Sequence, residues 1–422
     1  LSARRTKLES GVTVVSEVRP GVESVALGLY FPTGSRHETA EINGISHLIE
    51  HLVFKGTRRR TAQQINLEID LLGGASNAYT GKETLCFHGR VLSEHLGRLV
   101  DLYADMAAGA LPPGVDDDVD LERQVILQEI AAVEDSPEEL VGDLCDDIFF
   151  GDHPLALPVV GSARALARLN LAGIRDHYSR HIVARGMVVA AAGKVDHEEL
   201  VGLAGEALAG LPLGEPRPTL RAPATRVGTR CIERDLEQVQ VCLSARGVTR
   251  GDERRHMAEV LSSVLGEGVS SRLFREVRDR RGLVYSVGSA LASYLDTGSL
   301  NIYFGVAPEK LDETLDVISA VLSDLRDGGI EAHEFDAAKQ HVRGAMLLGY
   351  EGPGARMGYL AEAVLLGDPD LEIDHEVEKL AAVRAEDVES LAASLLGSDL
   401  ALAVVGPVSA GQLPADGFEL RR

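Results

Sequence analysis

Apolar residues fall on every second position at Val25, Leu27, Leu29 and Phe31, which predicts a strand over Ser24–Phe31; across a Pro20-Gly21 turn, another precedes it over Gly11–Val18. At Ile45 the period changes. Ile45, Leu48, Ile49 and Leu52 are spaced as one face of a helix. Thr61 opens a second helix through Ile65, Ile69 and Leu72, closed by Gly73-Gly74, and a strand follows over Thr84–Val91. The intervening Ala75–Thr80 is polar and reads as a loop, though its edge could accept an extended peptide as an added strand. Ser93 caps a helix to about Ala110, and a further helix over Asp116–Val133 is expected to bury Val125, Ile126, Ile130 and Val133.

The pattern then recurs. Val188-Val-Ala-Ala-Ala-Gly-Lys-Val195 is echoed by Leu402-Ala-Val-Val-Gly-Pro-Val408 near the end of the other half, so the chain reads as a duplication. Between the halves, Leu211–Thr225 carries Pro212, Pro216, Pro218 and Pro223, the composition of an extended linker. The expected organisation is a lobe over 1–212, a linker over 213–225 and a second lobe over 226–422. Each lobe is expected to be α+β, a mainly antiparallel sheet packed with helices. In the second lobe, the helix matching Ile45–Leu52 reads as the one carrying His256, Glu259 and Val260.

Composition narrows the class. At 422 residues the chain exceeds one ordinary core, and 45% apolar with 25% charged residues is the balance of a folded globular protein. No run approaches the roughly 18 consecutive apolar residues of a membrane span, and the start, Leu-Ser-Ala-Arg-Arg-Thr-Lys, lacks the apolar core of a signal peptide. A bacterial-type cytoplasmic location is therefore expected, with an organelle matrix left open. A net charge of -23 argues against nucleic acid as a partner and suits the attraction of basic peptides. Cys86, Cys145, Cys231 and Cys242 are scattered and read as free thiols.

The chemistry concentrates on the Ile45–Leu52 helix. His47 and His51, four apart, sit one turn above each other and can reach one zinc ion, while Glu50 beside them can take a proton from water and return it to a leaving amine. The bland alternative is an amphipathic helix with these three in solvent. Further on, Glu122 and Glu129 are seven apart, so both point into an apolar stripe where an unpaired carboxylate is costly. Glu129 would complete three ligands and leave the open fourth position of a catalytic zinc, with Glu122 bonded to a ligand imidazole. Glu83, Glu122 and Glu134 compete for the third place, and spacing does not choose among them.

His47-Leu-Ile-Glu-His51, followed by Glu122-Arg-Gln-Val-Ile-Leu-Gln-Glu129, resembles the pitrilysin, insulinase and mitochondrial processing peptidase family, in its bacterial and processing-peptidase branch. Phe31-Pro-Thr-Gly-Ser-Arg, Phe54-Lys-Gly-Thr, Asn77-Ala-Tyr-Thr and His153-Pro-Leu flank the match, and Leu265-Gly-Glu-Gly-Val-Ser-Ser-Arg-Leu-Phe274 extends it into the second half. The resemblance implies Glu129 as third ligand of one zinc per chain, Glu122 as its support, and Asn77 and Ala78 as substrate contacts. It also implies that Arg278 and Tyr285 bind substrate carbonyls; without it, Arg278 is one of a solvated cluster with Arg275, Arg280 and Arg281. Two lobes are then half of a clamshell chamber, completed by a second copy of the chain or a sequence-related subunit, and substrates are peptides or unfolded segments. The opposed class is a non-catalytic structural or partner subunit of the same fold.

Overall fold

The computed structural model describes residues 3–216, 219–397 and 399–420; the linker residue Pro218 lies outside them. Two compact units form, and neither is a consecutive half of the chain. The first takes in Leu1–Ala131, Leu157–Thr219 and Leu348–Glu372, the second Ala132–Ala156, Leu220–Leu347 and Ile373–Arg422.

The first unit is built on a six-stranded sheet of β1 (Arg4–Lys7), β2 (Thr13–Val18), β3 (Ser24–Phe31), β4 (Ala75–Thr80), β5 (Leu85–Leu92) and β6 (Val188–Gly193), in the order β1-β2-β6-β3-β5-β4. Only β2 and β6 run parallel. The alternation read from β3 holds: Val25, Leu27, Leu29 and Phe31 are buried on one face, joined from β5 by Leu85, Phe87 and Val91. Ala75–Thr80, expected as a loop, is an edge strand paired only to β5. Small polar residues gave it no apolar period, because Asn77 and Tyr79 face outward while Ala78 is buried.

Helices cover the apolar face. The Ala62–Leu72 helix starts on a capping box between Thr61 and Gln64 and ends at Gly73 with φ 61°, as the sequence signalled. The Leu96–Gly109 helix lies on β3 and β5, burying Leu99, Val100, Leu102 and Tyr103. In the Asp116–Asp135 helix the buried stripe is Val119, Glu122, Ile126 and Ile130, and Val125, expected inside, is 36% exposed. Glu122 takes that inner place because it has partners there, described below.

The other face of the sheet carries Ala26, Tyr30, Cys86, Val188, Ala190 and Ala192. It is covered by the Pro353–Leu366 helix, which packs Met357, Leu360 and Ala361 on it although it belongs to the second half of the sequence. Arg356 on this helix is buried against Glu17 of β2, its Nε donating at 2.7 Å.

The second unit repeats the plan. Its strands β7 (Thr229–Glu233), β8 (Val239–Arg246), β9 (Val284–Ser293), β10 (Gly298–Val306) and β11 (Ala401–Gly406) lie in the order β7-β11-β8-β10-β9, and again only β7 and β11 run parallel. That is the order β2-β6-β3-β5-β4 renumbered, and the two matched apolar segments of the sequence are the corresponding strands β6 and β11. Here too one face is covered by a helix from the other half: Val141, Cys145, Phe149 and Phe150 of the Pro137–Phe150 helix pack on Cys242, Ala401, Ala403 and Val405.

Candidate metal centre

The Ile45–Leu52 helix is fixed at its start by a buried carboxylate. Gly44 holds φ 94° and passes so close to Gly161 that a Cβ would lie 2.8 Å from its Cα. Glu38 accepts from the backbone N–H of Gly44 at 2.7 Å and of Ser46 at 2.8 Å, and from Asn43 Nδ2 at 3.1 Å. It thereby satisfies donors that the first turn leaves open and complements the positive end of the helix. Ile45, Leu48, Ile49 and Leu52 go into the core, which leaves His47, Glu50 and His51 on the other side.

The two imidazoles stand edge to face with centroids 4.8 Å apart. Glu129 comes to them from the Asp116–Asp135 helix, its Oε2 3.6 Å from His47 Nε2 and its Oε1 3.8 Å from His51 Nε2. One ligand atom from each of the three lies within 4.8 Å of the others, the one such group among the described residues. Two donors at about 2.1 Å from one tetrahedral ion are ~3.4 Å apart, so the set closes on a zinc-sized cation with small side-chain movements. Burial is the largest influence on His47 and holds it below the usual imidazole range, which favours the neutral ring that a metal needs.

Glu122, the inner carboxylate of the same helix, joins this group from behind. Its Oε2 lies 2.9 Å from Nδ1 of His51 and its Oε1 2.6 Å from Nζ of Lys55. Burial pushes its carboxyl up, and the hydrogen bonds from Lys55 and His51 outweigh it, so the net shift is downward. Of the competing carboxylates, Glu83 is buried in a pair with Arg36 at 2.6 Å and stands outside the cluster, as does Glu134.

Glu50 accepts a hydrogen bond from the Thr80 hydroxyl at 2.6 Å, at the end of β4. Asn77 is exposed on that strand, and its Oδ1 accepts from the N–H of Ala78 at 2.9 Å. Arg278 and Tyr285 belong to the second unit. The Arg278 guanidinium, in a π-helical turn over Phe274–Asp279, lies over the rings of Phe274 at 4.5 Å and Tyr285 at 5.3 Å, and Tyr285 is 80% exposed. Arg275, Arg280 and Arg281 all pair with Glu276, whereas Arg278 has no ion pair among the described residues.

Lys55 and Thr80 were not singled out from the sequence. Both sat inside the flanking motifs Phe54-Lys-Gly-Thr and Asn77-Ala-Tyr-Thr, and Lys55 lies four residues past His51, the spacing that brings a side chain back to the same face.

The matching helix of the second unit is Arg255–Gly266, but in a different register from the one expected. Buried Ile45, Ser46, Leu48 and Ile49 recur as Leu261, Ser262, Val264 and Leu265, 216 positions on (261 minus 45). Ser263 and Glu267 then stand for His47 and His51. His256 lies seven residues earlier, two turns along the same face, and instead bonds Glu259 at 2.8 Å and Glu376 at 3.1 Å. Where the first unit has its imidazoles, the second has a cavity of about 380 Å³ lined by Ser263, Glu267, Arg275 and His341.

Sequence and fold together are those of a zinc peptidase family. A family model described as Insulinase (Peptidase family M16) matches residues 13–163, and one described as Peptidase M16 inactive domain matches residues 168–342. An uncharacterized zinc protease of Streptomyces coelicolor is 38% identical over 416 residues, spanning 96% of this chain and 90% of its own length. The uncharacterized zinc protease YmxG of Bacillus subtilis is 34% identical over 413 residues, 98% of this chain and 100% of its own. Among solved structures, the peptidase M16 inactive domain from Pseudomonas fluorescens superposes with a TM-score of 0.90 at 21% identity, covering 97% of this chain and 99% of that one. A protease from Helicobacter pylori does so with 0.89 at 20% identity, covering 96% and 99%. The chain belongs to the insulinase family, peptidase family M16. Among the described residues no helix is long and apolar enough to cross a membrane.

Proposed function

We propose that this chain is a zinc-dependent endopeptidase or oligopeptidase in which His47, His51 and Glu129 hold one zinc ion and Glu50 is the general base. The observation that carries the reading is the convergence of those three side chains, with Glu50 one residue from His51 on the same helix. When bound, zinc supplies a Lewis acid that acidifies water and polarises a peptide carbonyl. Glu50 takes the proton of the attacking water on its carboxylate and returns it to the nitrogen of the leaving amine. Thr80 occupies Oε2, which leaves Oε1 for that transfer. Arg278 and Tyr285 are donors for the carbonyl oxygen as it gains charge.

The substrate in this reading is an extended peptide or unfolded segment, basic ones among them, added as a strand to the open edge of β4 at Asn77 and Ala78. The chain works as a homodimer, or with a sequence-related subunit, in a closed chamber of four lobes, and in the cytoplasm. The opposed reading, a non-catalytic subunit, finds no support in a site that keeps His47, Glu50, His51 and Glu129. The test is cleavage of a mixed peptide pool by the wild type and by Glu50→Gln, with zinc content measured on both. The variant should keep its zinc and lose about 10²-fold or more in turnover, since an amide accepts no proton. Equal turnover by both proteins removes Glu50 from the mechanism.

A further inference from the structure

Lys55 follows the Ile45–Leu52 helix in a turn held by its own N–H on the Leu52 carbonyl at 3.0 Å. The turn brings its ammonium to one oxygen of Glu122 at 2.6 Å, while the other oxygen of the same carboxylate is 2.9 Å from His51 Nδ1. The Glu122 side chain is only 5% exposed. A buried carboxylate held at both oxygens has one orientation. One held only by an imidazole is free to turn about its last bond, and the imidazole turns with it.

We propose that Lys55 is a positioning residue for the metal: by fixing Glu122 it fixes His51 with Nδ1–H donating to the carboxylate, so that the Nε2 lone pair faces Glu129. The inference rests on the reading that His47, His51 and Glu129 hold zinc, and it adds a residue that never touches the ion. Carboxylates bonded to ligand imidazoles set ring orientation and donor strength, and losing such a partner lowers metal affinity about 10- to 100-fold. Lys55 acts one bond further out, through Glu122.

The experiment is zinc affinity by chelator competition on the full chain, for wild type, Lys55→Met, Lys55→Gln and Lys55→Arg, with melting of each metal-free protein. Lys55→Met and Lys55→Gln should bind zinc about 10-fold more weakly or worse, with metal-free melting lowered because the buried Glu122 loses its cation, and Lys55→Arg, which restores a charged donor, should recover most of the affinity and of the melting temperature. Wild-type affinity in Lys55→Met overturns the proposal. So does weak zinc binding by a Lys55→Arg protein that melts like the wild type without metal, because the charged donor to Glu122 would then not be what holds the ligand. If the wild type itself takes up no zinc, it is the underlying reading of the site that fails, a result distinct from either.

Discussion

The Thr80 hydroxyl donates to Glu50 Oε2 at 2.6 Å, joining the edge strand of the first sheet to the helix that carries both imidazoles. The strand edge and the base of the proposed site are thereby held at one spacing. Thr80→Val keeps the shape of the side chain and removes the donor. It should lower kcat about 10-fold with zinc content unchanged, a split read from steady-state kinetics and metal analysis on the same preparation.

The carboxylates that spacing could not separate should behave differently when replaced. His51→Ala and Glu129→Ala should each lose most of the bound zinc, because two protein ligands hold a catalytic ion poorly. Glu83→Gln should keep the zinc and lose about 3 kcal/mol of stability, since it leaves Arg36 buried beside a neutral partner. Metal analysis beside denaturant melts distinguishes the two behaviours, and zinc loss in Glu83→Gln would reopen the choice of third ligand.

Arg278→Ala and Tyr285→Phe should each lower peptide cleavage about 10²-fold while zinc content stays at the wild-type level. The separation of the two readouts is the point of the test. Unchanged cleavage in both variants would return Arg278 to a structural role over the rings of Phe274 and Tyr285.

His177 stacks on His181 with centroids 4.2 Å apart and lies 3.3 Å from the Ser46 hydroxyl of the Ile45–Leu52 helix. Burial first, then the charges of His181, His37 and Arg180, depress its pKa from 6.5 to about 3. A histidine depressed in the folded state leaves the unfolded chain to take the proton first. Stability is therefore undiminished above about pH 6.5 and falls as pH drops toward 3, by about 1.4 kcal/mol for each pH unit in that window. The melting difference between wild type and His177→Gln should shift in favour of the variant as pH is lowered from 7 to 4. Parallel curves would show that this ring is not the one that titrates.

What the sequence showed best is what short-range periodicity encodes. Ile45, Leu48, Ile49 and Leu52 face one way, and that alone turns His47 and His51 the other way. The strand at Ala75–Thr80 was hidden because a half-exposed edge strand of small polar residues has no apolar beat. Lys55 was hidden because its partner, Glu122, lies 67 residues on (122 minus 55), and a charge pair at that separation leaves no local mark. The mismatch at His256 has a different cause: a slip of seven residues keeps the same helical face, so an isolated His-x-x-Glu drew the comparison two turns from its true place.

The exchanged helices bear on how the chain could have arisen and how it can be cut. Fragments divided near residue 220 would each expose one apolar sheet surface, around Tyr30, Cys86 and Ala190 in one and around Cys242, Ala403 and Val405 in the other, while carrying the helix that fits its counterpart. Such fragments should be sticky alone and should complement one another on co-expression. By the same logic two identical copies of a single repeat would cover their sheets by trading the same helix, a domain-swapped dimer that joining the two copies in one polypeptide would make permanent.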